Sequence, residues 1–358
     1  MQPTPTQTND ATPMNEDRGD VVLSVRNLKT HFPTDDGVVK AVDGVTFDLH
    51  QGEVLGVVGE SGCGKSITMK SVMQLVGKPG RIVDGQILFK RNRDGTNTEE
   101  VDIAKLRTNG KKIREIRGGD IALIPQEPMA SFSPLHSIGS QIVEAVMLHQ
   151  DVSKQEAKRI AIEKLNEVGM PSAEQRFDAY SWQLSGGLRQ RAIIALALAC
   201  NPSILIADEP TTAIDVTTQA QILELLKRLQ REHGSSILFI THDLGVIAQL
   251  ADHVVVMYLG RVMEQGAVSD VFTHPRHPYT RALLASIPSL HSEPRIELPT
   301  VAGGIPHPLQ RPNGCPFHPR CPDAIPGTCD VAMPKLLDVE QSKVACFLHH
   351  DEAEEADA

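Results

Sequence analysis

The stretch 53-EVLGVVGESGCGKSITMKSVMQLV-76 decides the fold of this chain. Its apolar run Val54–Val58 predicts a buried strand, and a helical pattern begins at Lys65. Between them lies the spacing Gly-x-x-x-x-Gly-Lys-Ser, which ends at Ser66. Glycines at this spacing let consecutive backbone N–H groups point at phosphate oxygens, and the helix N-terminus adds its dipole. The stretch therefore predicts strand, phosphate loop and helix, and with them an α/β fold.

Two side chains of this loop have specific tasks. Lys65 can reach the β and γ phosphates of a nucleotide, and Ser66 can ligate Mg²⁺. Cys63 lies at a helix N-terminus, which favours the thiolate, although a small residue tolerated at a variable position is the simpler interpretation. The predicted nucleotide contacts of the loop are Gly59, Glu60, Ser61, Gly62, Cys63, Gly64, Lys65, Ser66 and Ile67.

A second half of the site is predicted in 201-NPSILIADEP-210. Ile204–Asp208 suits a strand buried on both faces, and two acids stand at its end. Asp208 is placed to hold Mg²⁺ through water, and Glu209 to activate a water molecule as a general base. A pair of solvated acids is the alternative, but the phosphate loop upstream favours the metal site.

The segment 184-LSGGLRQR-191 offers a further anion-binding edge. Ser185 and two glycines open a helical run, so free N–H groups and a hydroxyl face outward at a helix start. Taken alone, the segment could be only a serine N-cap with flexible glycines.

Strand-like segments alternate with helical patterns along the chain, so we expect an α/β domain with a largely parallel core sheet. The predicted strands are Val21–Val25, Val45–Leu49, Val54–Val58, Ile121–Pro125, Ile204–Asp208, Ile237–Thr241 and Val254–Tyr258. The net charge of −10 argues against a nucleic-acid partner. Residues 1–20 are predicted to be a disordered tail without a secretory signal, residues 351–358 an acidic tail, and no segment predicts a membrane span.

Taken in order, these motifs resemble the ATPase subunits of ABC transporters. The phosphate loop, Gln126, LSGGLRQR, ILIADE, TTAID and ITHD match over Val21 to about Pro288. The resemblance implies a P-loop NTPase domain over 21–287, with an inserted helical subdomain at about 128–182 that docks on membrane subunits.

The resemblance also implies roles for single residues. ATP and Mg²⁺ would be sandwiched between the Lys65 loop of one subunit and the Ser185 loop of a second, paralogous or identical, ATPase subunit. Gln126 would contact Mg²⁺, Asp215 would reach across the dimer, and His242 would act on the γ-phosphate as a third catalytic residue beside Gln126 and Glu209. The remaining predicted nucleotide contacts are Phe32, which would stack on adenine, and Ser185, Gly186, Gly187 and Gln190.

Four cysteines mark a different region. After about Ile287 the composition shifts to Pro, Gly and His, which predicts a small irregular module over 288–350. A chain without a secretory signal is expected to keep its thiols reduced, so a metal site is favoured over disulfides. The spacing lacks the tight pair typical of zinc, whereas Fe–S clusters tolerate looser spacing. From the residues alone, zinc, an Fe–S cluster and free thiols all remain open for Cys315, Cys321, Cys329 and Cys346.

The segments 272-FTHPRHPYTRALLASIP-288 and 314-GCPFHPRCP-322, with the later VACFL, resemble the ATP-binding subunits of oligopeptide and dipeptide importers. This branch implies a [4Fe-4S] cluster on the four cysteines. It also implies two transmembrane permeases, an extracytoplasmic solute-binding protein and a peripheral place on the cytoplasmic face of the membrane. His274 and His277, next to prolines, are expected at the surface.

The transported solute is less constrained. Phe132-Ser133-Pro134 stands where peptide importers tend to have Leu-Asn-Pro, and related importers carry oligosaccharides or nickel. A soluble ABC protein outside transport would need a second cassette or a long coiled-coil insertion, and 358 residues hold neither. We therefore expect a peptide importer, with the other two solutes as alternatives.

Overall fold

The structure is a computed structural model that describes residues 18–92, 98–127, 131–212, 214–287, 301 and 303–350. The predicted N-terminal tail, except for residues 18–20, lies outside the described residues, as do the acidic tail and residues 288–300 of the predicted module.

The described strands form two sheets. They are β1 (Val21–Thr34), β2 (Gly37–His50), β3 (Val54–Val58), β4 (Arg81–Asn92), β5 (Thr98–Asp102), β6 (Ile121–Ile124), β7 (Ile204–Asp208), β8 (Ser236–Ile240), β9 (His253–Tyr258), β10 (Arg261–Ala267), β11 (Leu337–Val339) and β12 (Ser342–Val344).

The main sheet has the order β11-β12-β10-β9-β3-β8-β7-β6. Its strands β9, β3, β8, β7 and β6 pair in parallel, so the expected parallel core is confirmed. Strands β3, β7 and β8 are completely buried, as their uninterrupted apolar runs predict. Because the carboxyl ends of parallel strands meet at one edge, the loops after β3, β7 and β8 are brought together there.

The second sheet is antiparallel, with the order β2-β1-β4-β5. The sequence predicts strands at Val21–Val25 and Val45–Leu49, and both lie in this sheet rather than in the parallel core. Leu23 pairs with Leu49 and Val25 with Phe47, all four buried. A hydrophobic core of its own joins this sheet to one face of the main sheet.

The described helices of at least five residues are α1 (Lys65–Val72), α2 (Lys111–Gly119), α3 (Ile138–His149), α4 (Lys154–Glu167), α5 (Ala173–Phe177), α6 (Gly186–Leu198), α7 (Val216–His233), α8 (Leu244–Leu250), α9 (Val268–Thr273) and α10 (Pro278–Ala285). Among them, none combines the length and the apolar character needed to cross a bilayer.

Helices α3, α4 and α5 lie between β6 and α6, where the sequence predicts a helical subdomain. The apolar period of residues 153–169 corresponds to α4, whose N-terminus is capped by the Ser153 hydroxyl. Gly139 of α3 allows the ring of Phe177 in α5 to approach its backbone closely. Residues 128–130, where the predicted subdomain begins, lie outside the described part.

The predicted module over 288–350, called the four-cysteine segment below, adds two strands to the main sheet in its described part. β11 and β12 form a hairpin, and β12 pairs with β10. The fully buried Phe317 belongs to the same hydrophobic core as strands β3, β7 and β8. The module boundary near Ile287 stays a prediction, but sheet and core both extend past it.

Candidate nucleotide site and cysteine cavity

The phosphate loop between β3 and α1 depends on glycine at two points of close contact. Gly59 and Gly64 have φ values of 150° and 101°. A Cβ atom on Gly59 would lie 2.1 Å from the carbonyl oxygen of Met257, and one on Gly64 would lie 2.3 Å from that of Ala41. Because a side chain is excluded at both places, the glycine spacing fixes the path of the loop.

Lys65 links the two ends of the phosphate loop through hydrogen bonds to its backbone. Its side chain is buried, and its Nζ donates hydrogen bonds to the carbonyl oxygens of Gly59 and Glu60 at 2.7 and 3.1 Å. The buried Cys63 Sγ lies 3.8 Å from the same ammonium. Burial raises the pKa of the Cys63 thiol despite Lys65. Desolvation thus outweighs the thiolate preference expected at a helix N-terminus, and Cys63 is a small residue filling a tight place.

Two of the three predicted magnesium ligands, Ser66 and Asp208, lie in contact, whereas Gln126 contacts Glu209 and its metal contact stays a prediction. Ser66 Oγ donates to Asp208 Oδ1 at 2.9 Å, which joins the first turn of α1 to the end of β7. Burial raises the pKa of Asp208; the Ser66 hydrogen bond opposes this shift and the Glu209 charge adds to it. A buried carboxylate beside a hydroxyl at the phosphate loop is the kind of oxygen pair that Mg²⁺ prefers. The residues present therefore fit the predicted metal.

The predicted catalytic residues converge on Glu209. Gln126 Nε2 donates to Glu209 Oε2 at 3.0 Å, and His242 Nδ1 lies 3.2 Å from Oε1. The hydroxyl of Thr212 also donates to Oε2, at 3.1 Å. The Glu209 backbone has a φ of 46° and donates its N–H to Ile240 at the end of β8. Side chains from three loops thus hold one carboxylate at the carboxyl edge of the sheet.

The Ser185 loop begins α6, with Ser185 as N-cap and the two glycines as the first helical residues. Asp215 caps α7 and accepts hydrogen bonds from the backbone N–H and the hydroxyl of Thr218. These bonds hold the pKa of Asp215 below its ordinary value. Gln190 lies fully buried in α6. Its position does not support a nucleotide contact, and that role stays a prediction.

Phe32 lies on β1, half-buried. Its ring packs on Gly80, where a Cβ atom would lie 2.3 Å from Phe32 Cε1. Packing within the antiparallel sheet accounts for this position, so stacking on adenine remains a prediction.

The four C-terminal cysteines line one cavity. Cys315 and Cys346 are buried, Cys321 and Cys329 are partly exposed, and all four are free thiols. Burial, reinforced by the neighbouring cysteines, raises the pKa of Cys315 to about 11 and that of Cys346 to about 12. The fold thus brings together four thiols that are spread over 32 positions, from 315 to 346.

The metal cluster itself is not shown. Within the described ranges, no three His, Cys, Asp or Glu side chains are grouped closely enough to hold a metal ion. The metal cluster therefore stays a prediction, and what the structure shows is a cavity lined by thiols.

His277 is not at the surface, contrary to expectation. Its imidazole is buried, and Nδ1 accepts the backbone N–H of Tyr279 at 3.0 Å, which caps α10. Burial lowers the pKa of His277 to about 3, so the ring is neutral. His274 lies exposed, as expected.

Comparison with known proteins connects this geometry to a family. Residues 42–212 match the family model of ABC transporters, and residues 263–329 match that of the oligopeptide/dipeptide transporter C-terminal region. A probable peptide ABC transporter ATP-binding protein of Sinorhizobium fredii is 45% identical over 94% of this chain and 97% of its own length. A dipeptide transport ATP-binding protein of Bacillus subtilis is 46% identical over 94% and 97%.

The chain belongs to the ABC transporter ATPases. Solved structures agree on the fold of this ABC ATPase. A cassette solved as a dimer bound to ADP and Pi matches with a TM-score of 0.59 at 24% identity, over 69% of this chain and 98% of the cassette. A Clostridium perfringens cassette that is part of an ABC transporter complex has a TM-score of 0.57 at 27% identity, over 71% and 92%.

Two contacts of the ABC ATPase site escape sequence reasoning. Thr212 follows Glu209 by three residues, so the local motif could have indicated it. Arg320 pairs with Glu60 of the phosphate loop from 260 positions away, and no local pattern signals that pair.

Proposed function

We propose that this ABC ATPase hydrolyses ATP to power an importer of dipeptides or oligopeptides. The observation that carries the proposal is the convergence of Gln126 and His242 on Glu209, next to the Ser66–Asp208 pair. The C-terminal match over 263–329 and relatives whose names specify peptide or dipeptide transport support the solute class.

In this proposal each residue has a physical task. Lys65 balances the charge of the β and γ phosphates inside the loop, and Ser66 and Asp208 hold Mg²⁺. When bound, Mg²⁺ neutralises developing phosphate charge. Glu209 accepts a proton from the attacking water, while Gln126 and His242 keep its carboxylate in place.

The site is completed by a second ATPase subunit. The Ser185 loop presents the start of α6, a 13-residue helix whose first N–H groups can donate hydrogen bonds to phosphate oxygens. Asp215, exposed at the start of α7, is placed for a contact with the partner. The similarity to a cassette solved as an ADP-bound dimer supports this arrangement at the level of fold.

The permeases would dock on the helical subdomain. Leu135, Met147 and Leu148 are exposed there, with relative exposures of 80, 47 and 73%. Exposed apolar side chains favour a protein contact. We propose that this contact holds the subunit at the cytoplasmic face of the membrane, with a solute-binding protein acting from the other side.

Transport assays test the solute. Liposomes that contain the ATPase together with its permeases, supplied with a solute-binding protein, should take up a labelled tripeptide in an ATP-dependent way. Uptake of maltotriose or Ni²⁺ instead of the peptide would assign one of the alternative solutes. A Glu209→Gln complex is the control for ATP dependence.

We further propose that the four cysteines hold a [4Fe-4S] cluster, with zinc as the alternative metal. The donor type fits, because four free thiols line one cavity, and binding of the cluster would have to draw them closer together than they stand in the described part of the chain. Metal would favour the thiolates that burial now disfavours, and it would tie Cys346 to the segment around Cys315 and Cys321.

Anaerobic purification tests the cluster. The protein should be brown and contain about four irons and four sulfides per chain. Cys346→Ser should bleach it, whereas Cys200→Ser, a cysteine outside the cavity, should not. Colourless protein with one zinc per chain would replace the cluster by zinc.

A further inference from the structure

Arg320 connects the four-cysteine segment to the phosphate loop. It lies directly before Cys321, and its side chain is only 4% exposed. Its two terminal nitrogens donate to both carboxylate oxygens of Glu60, at 2.7 and 3.0 Å. They also donate to the Tyr258 hydroxyl at 3.2 Å and to the Val301 carbonyl oxygen at 3.1 Å. The guanidinium is therefore fixed from several sides.

Glu60 places a negative charge in the phosphate loop. It is the second residue of a loop that binds phosphates, and a carboxylate there repels the anion that the loop must hold. Its backbone N–H donates to the Tyr279 hydroxyl at 2.9 Å, so α10 fixes its backbone while Arg320 fixes its side chain. Both restraints come from beyond the last parallel strand, β9.

Packed aromatic side chains lie next to the Arg320 guanidinium. The ring of Phe317 lies 5.4 Å from that of Tyr258 and 5.2 Å from that of Tyr279, and all three are completely buried. A second arginine of the segment, Arg311, donates to Asp43 of β2 at 2.9 Å. Two arginines of the segment, Arg311 and Arg320, therefore bind it to residues of the nucleotide-binding part of the molecule.

We propose that Arg320 is a positioning residue of the nucleotide site: it neutralises Glu60 and holds both of its oxygens, so that the phosphate loop can accept a nucleotide. The inference rests on the proposed nucleotide binding. It makes the four-cysteine segment a determinant of phosphate affinity.

MgADP titration calorimetry tests this, because ADP binds without being hydrolysed. Arg320→Gln should weaken the binding of MgADP about tenfold, since the substitution leaves the Glu60 carboxylate uncompensated in the loop. Adding Glu60→Gln to the same chain should restore affinity to within about threefold of the unaltered protein, because the repelling charge is gone. Glu60→Gln alone should bind at least as tightly as the unaltered protein.

Recovery of MgADP affinity in the double variant distinguishes an effect of charge from an effect of packing. The double variant lacks the same Arg320 contacts as the single variant, so an effect of lost packing would persist in it. Arg276→Gln is the matched control: Arg276 is also a buried arginine, and it joins Glu340 of this segment to Asp270 of α9. It should lower the melting temperature without weakening MgADP.

Two results would overturn the proposal. One is unaltered MgADP affinity in Arg320→Gln. The other is a double variant that binds as weakly as Arg320→Gln. Failure of the unaltered protein to bind MgADP at all would instead refute the proposed nucleotide binding. The MgADP affinity of Arg320→Lys, which keeps the charge, should lie between those of the unaltered protein and Arg320→Gln.

Discussion

At the scale of single residues, Glu209 accepts hydrogen bonds from Gln126 and Thr212 and lies next to His242, and its substitution is the most direct test of the chemistry. Glu209→Gln keeps the amide oxygen as an acceptor for Gln126 and Thr212 but removes the base. ATP turnover should fall at least about a hundredfold while ATP still binds. A steady-state phosphate-release assay with equilibrium ATP binding measures both.

Glu224→Gln, an exposed acid of α7, is the control and should leave turnover unchanged. Turnover of Glu209→Gln within a few-fold of the unaltered enzyme would remove Glu209 from the role of base.

Asp208 shows a conflict between function and stability. Burial raises its pKa, so the folded state holds its proton more tightly than the unfolded state. Stability from this group is therefore present below its ordinary pKa and is lost as pH rises toward the folded value. Near neutral pH the ionised carboxylate destabilises the nucleotide-free protein.

Asp208→Asn should thus raise the melting temperature at pH 7.5 by about 2–4 °C while abolishing Mg²⁺-dependent turnover. Calorimetry at pH 7.5 and 4.5 should show the gain shrinking at the lower pH, where Asp208 is itself more protonated. A variant less stable at both pH values would contradict a dominant burial penalty.

At the scale of elements, the contact between α3 and α5 depends on the absence of one methyl group. A Cβ atom on Gly139 would lie 2.2 Å from the ring of Phe177. Gly139→Ala should lower the free energy of unfolding by about 1–3 kcal/mol, although alanine is the better helix former. Urea denaturation measures the change.

The paired variant Gly139→Ala/Phe177→Leu should recover part of this loss, because the smaller side chain makes room for the methyl group. Glu144→Ala on the exposed face of α3 is the control. A stability gain in Gly139→Ala alone would show that helix propensity outweighs the overlap.

At the scale of the whole molecule, the core passes through the four-cysteine segment, so the chain should unfold as one unit. Phe317→Ala removes a fully buried ring from this shared core and should cost about 3–5 kcal/mol. The chain has one tryptophan, Trp182, which lies directly before the Ser185 loop and far along the chain from Phe317.

Trp182 fluorescence and far-UV circular dichroism should therefore shift together in Phe317→Ala. Val331→Ala, exposed in the same segment, should change neither. A Trp182 transition that stays at its original denaturant concentration would show that the segment unfolds independently.

Much of the site could be predicted from local sequence. The phosphate loop, the strand before Asp208 and the caps of the helices are each decided by a few neighbouring residues. Glycine freedom, apolar runs and side-chain caps act over one turn or one strand. For this reason the positions of β3, β7 and α4 agree with expectation.

Tertiary structure alone decided the rest. The separate antiparallel sheet, the burial of His277 and the continuation of the main sheet into β12 all depend on which distant segments pack together. The same holds for the pair of Arg320 and Glu60, 260 positions apart. Local sequence gives no sign of that pair, because only the folding of the core brings Glu60 of the phosphate loop and Arg320 together and removes both from water.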